Sequence, residues 1–101
     1  MASRFKYLPS VGISYADQGR IFFVCRTYGD QPETVKERID LVCLAAAGGD
    51  TAYAKALKEY MTTDRDFNSV CMEFFLSTST LDRLRRRFYQ LYMKREGGDL
   101  R

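Results

Sequence analysis

A chain of 101 residues and 11.7 kDa has room for one domain, which excludes a multidomain enzyme and a two-lobed nucleotide-binding fold. Its 46% hydrophobic and 14% aromatic content predicts a folded core rather than disorder. The formal charge of +3 is uneven: residues 1–76 hold nine Lys/Arg and ten Asp/Glu, whereas residues 77–101 hold seven and three, so a polyanion or acidic partner is expected at the carboxyl end.

Residues 1–13, with Pro9 and Gly12, read as an extended arm or short strand. Ser14 is placed to cap a helix, with Asp17 three residues on. Ile21, Val24, Cys25 and Tyr28 then share a helical face. The run IFFVCRTY is β-rich, so a strand over Arg20–Tyr28 competes with that helix. Gly29 and Asp30 break the element. Asp30 or Gln31 can cap the next helix, with Pro32 in its first turn and Glu33 at the positive end of the dipole. Val35, Ile39, Val42, Cys43 and Ala46 follow at helical spacing, and Gly48–Gly49 ends the helix. Asp50 or Thr51 starts a third helix with Ala54, Leu57 and Met61 on its apolar face. The polar stretch Thr62–Asp66 is the next break. A helix from about Phe67 to Phe75 and a long one from Thr78 to Arg95, stopped by Gly97–Gly98, complete the chain. The sum is a single all-α domain: a compact bundle of four or five short helices, with a scaffold over 1–66 and a helix pair over 67–96.

The segment SVCMEFFLSTSTLDRL, Ser69–Leu84, carries the functional signal. Cys71 is a small residue where a second helix can cross closely. Leu76 can seal a tight turn, and Ser77 can cap the following helix. Leu81, Leu84 and Phe88 then turn inward at spacings of three and four. Thr78, Ser79, Asp82, Arg83 and Arg86 fall on the outward face. This register resembles the helix-turn-helix transcription regulators, and the run RRRFYQLY resembles the last helix of the sigma-factor region-4-like members found in phages and mobile elements. The resemblance covers roughly residues 67–92. It implies a helix-turn-helix that reads the major groove of double-stranded DNA with helix 78–95, and regulation of transcription. The family fills the turn position with glycine, where this chain has Phe75. A bulky residue at positive φ is strained there, so either the turn is one residue longer or its geometry differs.

On this reading Arg83 and Arg86 reach base edges or phosphates, since an arginine fork matches guanine O6 and N7. Thr78 and Ser79 suit phosphate or thymine-methyl contact. Asp82 accepts from a cytosine amino group or pairs with Arg86. Arg87, Lys94 and Arg95 attract the backbone in a salt-dependent way, and Arg85 lies nearer the buried edge. So small a reader implies a homodimer or attachment to RNA polymerase.

Two rivals remain. One is a small protein-binding adaptor or inhibitor docking through the basic, aromatic last helix. The other is an interfacial membrane helix over Leu81–Lys94. An enzyme is not expected. The chain has no histidine, no Gly-rich phosphate loop and no metal-ligand cluster, so neither cofactor nor metal is implied. Cys25, Cys43 and Cys71 are isolated within apolar runs, as buried reduced thiols of a cytoplasmic protein would be. No stretch reaches the length of a membrane span, and the start lacks an apolar signal core.

Overall fold

Ser14 ends the amino-terminal arm and starts the first helix by the predicted mechanism: its Oγ accepts from the Asp17 amide at 3.1 Å. The computed structural model describes residues 5–99 and is all-α, with helices α1 (Tyr15–Arg26), α2 (Glu33–Ala46), α3 (Thr51–Thr62), α4 (Phe67–Phe74) and α5 (Thr78–Asp99). Short 3₁₀ turns lie at Pro9–Val11 and Tyr28–Asp30, and there is no strand among the described residues.

The competition over Arg20–Tyr28 is decided by packing. A strand would place Ile21, Phe23 and Cys25 on one face. Instead Ile21 and Cys25 are fully buried while Phe23 is 66% exposed, the period of a helix. The arm likewise forms no strand. Gln18 holds it in place from a fully buried position: Nε2 donates to the carbonyls of Leu8 and Ile13, and Oε1 accepts from the Leu8 amide, each at 2.9 Å. Three hydrogen bonds satisfy an arm that has no ladder of its own. The first four residues of the expected arm lie outside the described residues.

The start of α2 differs from expectation. Pro32 is itself the N-cap residue, and no side chain caps the helix. Asp30 is taken up by the 3₁₀ turn, and the Gln31 side chain donates through Nε2 to Thr27 Oγ1. The other starts follow the sequence. Asp50 accepts from the Tyr53 amide at 3.0 Å, and Asp66 from the Ser69 amide at 3.1 Å. Gly48 and Gly49 end α2 at φ 65° and 88°, where glycine has no Cβ to clash.

The turn between α4 and α5 is neither lengthened nor altered as expected: Phe75 itself takes the left-handed conformation that glycine would, at φ 59° and ψ 45°. It is the one non-glycine residue at positive φ among those described. The Leu76 amide closes the turn on the Cys71 carbonyl at 2.9 Å, and Ser77 Oγ caps α5 through the Thr80 amide at 3.1 Å.

α5 does not stop at Gly97–Gly98 but runs to Asp99. Two glycines weaken a helix without forbidding it. Here Glu96 anchors the last turns to the body, accepting from Arg20 at 2.9 Å and lying 4.0 Å from Arg38. The inner face of α5 carries Leu81, Leu84, Phe88, Tyr89 and Tyr92, all buried, and packs chiefly on α2. Phe88 and Tyr92 stack with centroids 5.6 Å apart. One face of α5 is therefore committed to the core, which settles what the opposite face can present.

Candidate nucleic-acid interface

At 3.6 residues per turn, Ser79, Arg83, Arg87, Gln90 and Lys94 fall on one stripe of α5. All five are exposed. Arg83 to Lys94 spans eleven steps, or about 16 Å of helix axis. Among the described residues, Arg83, Arg87 and Lys94 have no carboxylate within ion-pair distance. The stripe faces directly away from the buried spine.

The other expected site residues do not join it on equal terms. Arg86 flanks the stripe but is tethered: Nε donates to Asp82 Oδ2 at 2.8 Å, and Nη1 to the Ser10 hydroxyl. Asp82 also takes Arg85 through Oδ1, at 2.9 Å from Nε and 2.7 Å from Nη2. Arg85 is buried, as its position implied. It donates to Tyr60 Oη at 3.1 Å, and its guanidinium lies 4.6 Å from the Phe67 ring centroid. Burial alone would raise the Asp82 carboxyl, but hydrogen bonds from Arg86 and Arg85 outweigh it and hold the group below the usual carboxylate range. Asp82 is thus an anchor for two arginines rather than a free acceptor. Thr78 is exposed but turned well away from the stripe, and Arg95 is exposed about a third of a turn from it.

One contributor could not be read from the sequence. Lys6 on the arm joins Thr78, Ser79, Asp82, Arg85 and Arg86 around an open cleft of about 330 Å³ at the start of α5. The signal for it lies in Gln18, whose clamp brings the arm alongside, and Gln90 Nε2 adds a bond to the Val11 carbonyl at 3.3 Å.

The cysteines offer no second chemistry. All three are free and buried. Burial pushes the Cys43 thiol up to about 12 and raises Cys25 and Cys71 as well, so all are protonated at neutral pH and poor nucleophiles. Among the described residues no group of three or more Cys, Asp or Glu is placed to hold a metal, and no helix is long and apolar enough to cross a membrane.

Compared with known proteins, the chain matches no family model, no curated protein and no solved structure.

Proposed function

We propose that the chain is a DNA-binding transcription regulator of helix-turn-helix type that meets the major groove with α5. The observation that carries this reading is the exposed stripe Arg83, Arg87 and Lys94, which has no carboxylate partners among the described residues. Exposed cations in a row at helical pitch are what a phosphate-lined groove attracts. Support also comes from the register before it: a short helix, a three-residue turn with one left-handed residue, and a serine cap. Ser79 and Arg83 lie near the start of the helix at the mouth of the groove, where Arg83 meets phosphate beside the base edges. Arg87 and Lys94 follow the backbone, and Arg86 joins them once it exchanges Asp82 for phosphate.

Binding to a mixed-sequence duplex, followed by fluorescence anisotropy across a salt series, tests the reading. About four phosphate contacts predict a loss of roughly 100-fold in affinity between 50 and 200 mM salt. No measurable duplex binding at low salt, or an affinity indifferent to salt, would reject it in favour of an adaptor that docks on protein.

A further inference from the structure

Two surface features of this fold have no use inside one molecule. The first is a knob at the end of α4. Met72 and Phe75, three residues apart, are 78% and 94% exposed. Phe75 combines that exposure with a left-handed backbone that a phenylalanine disfavours. Among the described residues, neither side chain belongs to the core or packs against it. The segment that carries the knob is net acidic: residues 59–77 hold four carboxylates and one arginine, Arg65, which pairs with both Glu59 and Glu73.

The second feature is an open, mainly apolar groove of about 310 Å³ between α2 and α3, lined by Cys43, Leu44 and Ala54 among others. Leu41, Leu44 and Tyr53 on these two helices stay 50%, 38% and 37% exposed. Its charge is opposite to that of the knob. Lys58 is paired with Asp40 at 2.9 Å, but Lys55, also on the lining, has no carboxylate partner among the described residues.

We infer that the Met72–Phe75 knob of one molecule seats in the α2–α3 groove of a second copy. One feature is convex and the other concave. The net charges are opposite, since Arg65 offsets only part of the acidic segment at the knob and Lys55 is unpaired among the described residues at the groove. The chain does not satisfy the match itself, since its own Phe75 stands in solvent. The contact uses two different patches, so it is head-to-tail and each added copy offers a new knob and a new groove. One knob in one groove is small by the standard of stable interfaces, so the association is weak and concentration-dependent.

Sedimentation velocity over about 10 µM to 1 mM, the range suited to a small interface, tests this. Phe75→Gly removes the knob and keeps a residue at ease in the left-handed turn, so the fold is retained. Leu44→Glu puts a carboxylate into the groove at a half-exposed position, with Lys55→Glu as a second groove variant should the first fail to fold by circular dichroism. The wild type should grow past dimer with concentration, and each variant alone should stay monomeric. An equimolar mixture of knob and groove variants should form 1:1 dimers that grow no further, because one partner keeps the only working knob and the other the only working groove. A wild type that stays monomeric, single variants that assemble like the wild type, or a mixture that does not pair would each overturn the proposal. None of these readouts involves the basic stripe of α5, so their failure leaves the DNA-binding reading standing.

Discussion

Asp82 and Arg86 lie one helical turn apart on α5, and a 2.8 Å hydrogen bond between Oδ2 and Nε ties the arginine down beside the exposed basic stripe. The same carboxylate steadies the buried Arg85. One acidic residue therefore does two jobs: it lets a guanidinium sit in the core, and it holds a second one back from solvent.

Replacing it separates the two. Asp82→Asn should tighten duplex binding several-fold in anisotropy titrations, because it removes a negative charge from the binding side and frees Arg86. It should also destabilise the fold by about 1–2 kcal/mol in urea, since the buried Arg85 exchanges a carboxylate for a neutral amide oxygen beside Tyr60 and its aromatic contacts. The folded carboxyl titrates below its unfolded value of about 3.9, so it stabilises the fold above that pH, and the contribution disappears as pH falls through the folded value. The stability gap between wild type and variant should be widest near neutrality and close as pH falls through the lowered folded value.

Arg83→Ala with Arg87→Ala should change the fold little, within about 0.5 kcal/mol, because both side chains are exposed. If these residues meet phosphate, the slope of log affinity against log salt should fall by about two. An unchanged slope would move the polyanion contact elsewhere on the surface.

Phe75→Gly should stabilise the protein. The phenyl ring is 94% exposed, so its removal costs little burial, while the left-handed backbone costs an L-residue roughly 1–2 kcal/mol. Glycine returns part of that through its freedom in the unfolded chain, leaving a net gain of about 0.5–1 kcal/mol and a melting temperature higher by a few degrees. Phe75→Val, β-branched at the same φ, should melt lower than wild type.

Gln18→Leu tests the clamp on the arm. The substitution leaves the Leu8 amide and the Leu8 and Ile13 carbonyls without their partner, at a cost of about 2–4 kcal/mol. Hydrogen exchange at the Leu8 amide should accelerate before the rest of the fold opens. The variant should also weaken the hold of Ser10 on Arg86 and of Val11 on Gln90, which places the arm beside α5.

Much of this protein is local and was therefore legible in its residues. The caps at Ser14, Asp50, Asp66 and Ser77 act through side chains three residues from the amides they satisfy, and Gly48–Gly49 ends α2 through its own backbone freedom. The inward spine of α5 follows from 3.6-residue periodicity alone. What only the tertiary structure decided involves partners far apart in the chain. Arg20 and Arg38 extend α5 past two glycines by holding Glu96. Gln18 lays the arm against α5, and Tyr60 and Phe67 receive the buried Arg85, whereas the Asp82–Arg86 pair, four residues apart, was one of the two readings the sequence offered. Helical pitch together with the position of the core splits the expected site: Arg83, Arg87 and Lys94 share a stripe, while Thr78, Arg95 and the tethered Arg86 stand apart from it. Spacing along a chain determines which residues can share a face, but which face is left to solvent depends on what the rest of the chain packs against it.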